Sequence, residues 1–322
     1  MFFYKDEVVL VRQGFKEFLV LTLEDLFNSF GSTSDNIKCE DVEIYSDNGW
    51  NKLNCIKRVA KDKWTINQAY TGNIITATSR NKYKVLNKSK DSQLQLIQSD
   101  LFSEELLWIL GYSFMQNKDN KVISRKSSSS SLYFAIKAYL NLAFQEVSFS
   151  EKAFKSDLDE FPYIGEFTLG DINVKKYLED SYFLSESFFP NFFVTSHTKV
   201  GLKSLLAGII DANFTIKDYS WRSGYLSIAF AKKMFWLFNY LGLTSYIINR
   251  TSSKMEVKIK YDDDLKMKLY NKDLLSLTSK KQSMVLSNKI YRYTKFDEYS
   301  YGYSLDCKEP NINISNLNIN LV

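Results

Sequence analysis

The chain has 322 residues, 45% hydrophobic and 16% aromatic, enough for two modest domains; only 12 Gly and 3 Pro exclude a long flexible or collagen-like chain. Its 42 basic residues nearly balance 37 acidic ones, so a formal charge of +5 permits nucleic-acid binding only where positive charge is locally concentrated. Cys39, Cys55 and Cys307 show neither metal nor disulfide spacing, and the one histidine, His197, reads as a solvated loop residue unable to complete a zinc site.

In chain order, the first 95 residues are β-rich, with apolar segments over 8–11 and 21–27 either side of a turn at Gln13 and Gly14. A hairpin follows over 42–50, then a strand over 74–78 with Asn81 close behind. An apolar helix covers 107–116. Lys118, Lys121, Arg125 and Lys126 then supply positive charge, the serines 127–131 interrupt the second strand of a hairpin, and 132–144 reads as a helix. Residues 152–166 are mixed and acidic and read as a loop or a partner-facing surface. A second apolar helix over 205–213 leads into strands over 214–221 and 225–230. A helix over 232–241 stops at Gly242, and strands follow over 246–250 and 255–261. Segments 303–307 and 312–322 read as closing strands. No apolar run is long enough to span a membrane, and the start has neither the basic segment nor the cleavage site of a signal peptide.

The run Leu205, Leu206, Ala207, Gly208, Ile209, Ile210, Asp211, Ala212, Asn213 resembles the LAGLIDADG motif of a homing endonuclease family, with Asn213 where the motif's last aspartate stands. A weaker copy lies about a hundred residues earlier, with Gly111 matching Gly208 and Gln116 matching Asn213. The segment Phe188, Phe189, Pro190, Asn191, Phe192 resembles the stretch before the second motif in that family. The resemblance implies an α+β fold of two αββαββ repeats related by a pseudo-twofold. Their motif helices would cross closely at Gly111, Ala207 and Gly208, where side chains are small. The family's aspartates bind Mg²⁺ at the helix ends and hydrolyse both DNA strands. Gln116 and Asn213 offer neutral amides instead, so cleavage is expected to be lost, and with it any need for a metal cofactor. Asp119 or Asp211 would supply a carboxylate only after a shift in register, and Asp211 points to a different helix face.

Each repeat's sheet in this family lies over the duplex with alternate side chains facing DNA. Counting from Asn213, the resemblance places Lys217, Tyr219 and Trp221 on DNA, with Arg222 at the turn and Tyr225 and Ser227 on the returning strand. Leu226, Ile228 and Phe230 take the core-facing positions. Asn249, Arg250, Lys258 and Lys260 are further candidates for phosphate or base contact, and Lys121 and Arg125 are candidates in the first repeat.

The flanks resemble an intein (Hint-type) domain into which the endonuclease is inserted. Residues 1–95 would form its N-terminal part and 288–322 its C-terminal part, with the repeats at 96–195 and 196–287. Splicing residues are missing: the chain starts Met1, Phe2, Phe3, the block histidine falls on Asn81, and the end lacks a His-Asn pair. The starting methionine reads as that of a free-standing product. The expected function is therefore a monomeric double-stranded DNA-binding protein, defective in cleavage and splicing. The alternatives are an active homing endonuclease and a non-catalytic adaptor or specificity subunit of a nucleoprotein complex. An intracellular compartment with access to DNA is expected, with a composition that fits an AT-rich phage or organelle genome.

Overall fold

The computed structural model describes residues 1–14, 17–46, 49–69, 73–78, 83–86, 99–116, 121–123, 130–144, 150–154, 164–186, 189–249, 254–277, 290–314 and 317–321. The first elements are β1 (Phe3–Tyr4), β2 (Val8–Gln13), β3 (Glu17–Thr22), α1 (Leu23–Ser29), β4 (Asn36–Lys38), β5 (Val42–Ser46), β6 (Gly49–Ala69), β7 (Ile74–Ala77) and β8 (Tyr83–Leu86). Then come α2 (Glu104–Gln116), β9 (Lys121–Ile123), α3 (Ser130–Ala143), β10 (Ser150–Phe154), β11 (Ile164–Thr168), α4 (Val174–Tyr182), α5 (Asn191–Ser196) and α6 (Lys199–Asn213). The remainder are β12 (Phe214–Lys217), β13 (Ser220–Ser223), β14 (Leu226–Ser227), α7 (Ile228–Tyr240), β15 (Ser245–Asn249), β16 (Lys254–Ile259), α8 (Asp263–Lys266), α9 (Lys272–Leu275), β17 (Ile290–Cys307), β18 (Asn311–Ile314) and β19 (Leu317–Leu321). The protein is of α+β class, and every strand pair with a described register is antiparallel.

The chain divides into two compact units: 1–95, 225–257 and 282–322 make one, and 96–224 with 258–281 make the other. In the first unit β1 and β17 share one sheet, while β18 and β19 pair with β8 in another. Phe3 lies between Tyr303 of β17 and Ala77 of β7, and β17 runs beside β6 from Ile290↔Ala69 to Cys307↔Leu53. Period-two alternation places Val9, Val11, Val42 and Ile44 in a core with Leu26, Phe27, Ile56, Ile312 and Ile314. Asn51 ties the C-terminal segment down, donating to the carbonyls of Glu309 (2.8 Å) and Asn311 (3.0 Å) and accepting from Glu309 N (3.0 Å).

The first unit also takes in α7, a segment of the expected second repeat of 196–287. Lys232 forms an ion pair with Glu7, both side chains almost wholly buried, and the Glu7 carboxylate also accepts from Thr76 N at 2.6 Å. Lys233 reaches Asp25 at 3.4 Å. Such a pair must form completely, since a buried charge without its partner costs several kcal/mol. The strand expected over 225–230 is corrected. Ser227 caps α7 by accepting from Phe230 N, so the helix begins at Ile228 and leaves only Leu226–Ser227 extended.

In the second unit, α2 and α6 are buried along most of their length. Thr198 caps α6, and Asp100 braces that cap by accepting from Thr198 N (2.6 Å) and its hydroxyl (2.8 Å). His197, expected in solvent, is 1% exposed: its Nε2 accepts from Phe102 N and its Nδ1 faces Phe193 O, each at 3.2 Å. At the two ends of 152–166, expected as a loop or a partner-facing surface, β10 and β11 are antiparallel strands, and β11 also pairs with β9.

Candidate nucleic-acid interface

The contact between α2 and α6 is made by backbone. A Cβ on Gly111 would lie 2.1 Å from Leu205 O, and one on Gly208 would lie 1.9 Å from Trp108 O. No side chain fits at either position. Ala207 is fully buried in the same helix.

This crossing brings the C-terminal ends of the two helices together, where main-chain carbonyls lack intrahelical partners. Gln116 Nε2 donates to Ala212 O at 2.7 Å. Asn213 closes the base of the next hairpin, its carbonyl accepting from Gly224 N at 3.1 Å; a Cβ on Gly224 would stand 3.0 Å from Asn213 Oδ1. Asp211 points away from these ends. Its carboxylate accepts from Trp108 Nε1 (3.1 Å), Tyr270 N (2.8 Å) and Asn271 N (3.1 Å). Burial pushes its pKa up to about 7, against the pull of those three donors.

Among the described residues the helix ends do not fit Mg²⁺; Asp119 lies outside those residues. The two side chains there are neutral amides, the Gln116 amide is committed as a donor, and Asp211 is turned elsewhere. Among the described residues, no group of three or more His, Cys, Asp or Glu is placed to hold a metal ion.

Beyond Asn213 the chain folds into a tight hairpin. Asp218 and Tyr219 form its two-residue turn with φ of 51° and 56°, the left-handed pair that such turns require. This turn overturns the face expected for Trp221. A continuous strand over 214–221 would put Lys217 and Trp221 on one side. Instead Lys217 pairs with Ser220 and Thr215 with Arg222, so odd residues of β12 share a face with even residues of β13. Trp221 therefore faces the core. It is fully buried, donates Nε1–H to Leu274 O (3.0 Å) and stacks on Tyr261.

The opposite, polar face carries Thr215, Lys217, Ser220 and Arg222, joined by Lys258 directly across from Arg222 on β16. Arg222 lies within β13, not at the turn. Its side chain is 8% exposed and its Nη1 lies 3.7 Å from Asp218 Oδ2. Burial and the neighbouring charges of Arg222 and Lys260 hold the Lys258 amine below the usual lysine range, while Asp218 opposes them. Lys217 and Tyr219 are exposed at the hairpin tip.

The other candidates fall elsewhere. Tyr225 and Ser227 are exposed but belong to the first unit, where Lys254 lies over the Tyr225 ring at 6.0 Å. Asn249 and Lys121 sit on strands, with side chains outside the described set. Arg125, Arg250 and Asn81 lie outside the described residues. Sequence reasoning missed Asp218, Thr215 and Ser220, because Asp-Tyr lacks the Asn-Gly or Asp-Gly signature of this turn. No helix among the described residues is long and apolar enough to cross a membrane.

No protein-family model and no curated protein matches the chain.

Proposed function

We propose that this chain is a double-stranded DNA-binding protein of LAGLIDADG type, carried within an intein-like β domain, which neither cleaves DNA nor splices. The observation that carries this reading is the polar face of the 214–223 hairpin. Arg222 and Lys258 stand directly opposite each other there, beside a helix end whose side chain is the amide of Asn213. Like charges across an antiparallel pair are unfavourable unless an anion offsets them. A phosphate backbone laid over that face reverses the sign of the interaction, and Lys217 at the exposed tip extends it.

The backbone contact at Gly111 and Gly208 supports the repeat architecture, as does the order of elements. In one half α2 is followed by β9, α3, β10 and β11; in the other α6 is followed by β12, β13, the short β14, α7, β15 and β16. The amides at the helix ends support loss of cleavage, because neither supplies the charge that a hard cation needs.

The test is binding of the full chain to defined duplexes of about two helical turns, read by footprinting and by fluorescence anisotropy across a salt series. A plasmid assay with Mg²⁺ or Mn²⁺ runs in parallel. Protection of a defined duplex without nicking supports the reading. Specific cleavage abolished by changing Asn213 would replace it with the active-endonuclease reading. Absence of DNA binding with stable co-purification of protein partners would replace it with an adaptor.

A further inference from the structure

We propose that Arg222 and Lys258 form a seat for a single backbone phosphate, and that the Asp218 carboxylate serves as its stand-in when no nucleic acid is bound. This deepens the DNA-binding reading of the same face and rests on it for the identity of the ligand.

Arg222 and Lys258 are register partners, so their side chains leave the sheet on the same side. The Arg222 side chain is buried to 8% exposure, in surroundings where like-charge repulsion is screened far less than in water. The Asp218 carboxylate lies on this pair. Asp218 approaches Arg222 at 3.7 Å, and its charge supports the protonated form of Lys258 against the desolvation that opposes it.

Asp218 is a loosely held counter-ion. Its side chain is 69% exposed, and 3.7 Å is longer than a hydrogen-bonded ion pair. The backbone does not demand an aspartate at this position. With φ at 51° in a two-residue turn, asparagine serves the conformation equally well. A phosphodiester presents two non-bridging oxygens and one negative charge, as a carboxylate does. It would displace Asp218 outward without rebuilding the sheet.

The test compares the intact chain with Asp218→Asn, Asp218→Asn/Lys258→Gln and Asp264→Asn. Asp264 is 75% exposed in the same unit and pairs with Lys203 at 2.8 Å, so its loss changes net charge equally while removing the partner of a different cation. Inorganic phosphate is titrated at low ionic strength, followed by NMR shifts of the 218–223 amides and the Trp221 indole; a duplex is titrated separately. Asp218→Asn should tighten phosphate binding about fivefold, the measure of removing an exposed carboxylate competitor. The gain should vanish in the double variant and be absent in Asp264→Asn. Equal affinity for phosphate in Asp218→Asn and the parent would overturn the proposal, as would the same gain in Asp264→Asn. If the phosphate gain appears but duplex affinity is insensitive to Lys217 and Lys258, the seat stands and the DNA reading falls. If duplex binding depends on Lys258 while Asp218→Asn alters neither titration, the DNA reading stands and the stand-in role falls.

Discussion

Gln116 donates its side-chain amide to the main-chain oxygen of Ala212 at 2.7 Å, joining the end of one helix to the end of another across 96 positions of sequence. Where an aspartate would present lone pairs to a cation, this residue presents a hydrogen to a carbonyl. At this position the side chain acts as a strut.

The contact predicts what carboxylates at the helix ends would do. In Gln116→Asp with Asn213→Asp, Ala212 O loses its donor and two carboxylates face the negative ends of two helices. Without divalent ions, chemical denaturation should show a loss of roughly 1–3 kcal/mol. Titration with Mg²⁺ or Mn²⁺ should recover part of it. A variant that stays destabilised at every metal concentration would show that these helix ends cannot be made into a metal site.

Gly208→Ala tests the backbone contact. Its Cβ would stand 1.9 Å from Trp108 O, and neither helix can retreat without opening a buried interface. The expected cost is about 3 kcal/mol or more, at the upper end of overpacking effects. A denaturation midpoint within about 1 kcal/mol of the parent would mean that the helices are not held at backbone contact.

On the hairpin face, Lys217→Ala and Lys258→Ala should each weaken duplex binding and reduce the salt slope by roughly one unit per lost phosphate contact. Trp221→Ala should behave differently. The indole fills core space and satisfies Leu274 O, so truncation should cost roughly 3–5 kcal/mol of stability. Unchanged salt slopes in both folded lysine variants would remove this face from the DNA-binding reading.

His197 predicts a stability limit on the acid side. Burial lowers its pKa from the ordinary 6.5, and its Nε2 accepts from Phe102 N, which a protonated ring cannot do. The folded form thus binds fewer protons than the unfolded chain, so stability increases with pH in this range. The contribution is fully present above about pH 6.5 and is lost as pH falls toward the depressed folded value. His197→Gln keeps an acceptor but does not titrate, so the denaturation midpoint of that variant should lose this component of its slope between about pH 6.5 and 5. An identical slope in parent and variant would mean that His197 is not the group responsible.

Much of this arrangement was legible because short-range physics writes it locally. Gly111 and Gly208 mark a close crossing because only small residues let two backbones touch, and Gly242, at φ 79°, marks the end of α7. Gln116 and Asn213 could be placed at the helix ends by counting. The parity of the hairpin could not be counted: a turn at Asp218 and Tyr219 shifts every later side chain to the other face, and neither residue announces it. The start of α7 was hidden for a related reason, since the apolar residues around Ser227 fit a strand as well as a helix until the cap decides. Glu7 with Lys232, and Asp211 with the 270–271 backbone, are pairings between distant segments that no local pattern encodes.

Glu7 and Lys232 have one more consequence, which concerns time. A ribosome releases the glutamate 225 positions before the lysine that neutralises it. Until then its sheet lacks both the cation beneath it and the strand Ile290–Cys307 along its flank. The unit that begins first is therefore completed last, while 96–224 can gather its paired helices during translation. Contacts of such long sequence separation close slowly, because loop entropy must be overcome before any of them is rewarded. The nascent strands before β7 thus wait with exposed edges until β17 is made, in the condition where a chaperone is most useful to them.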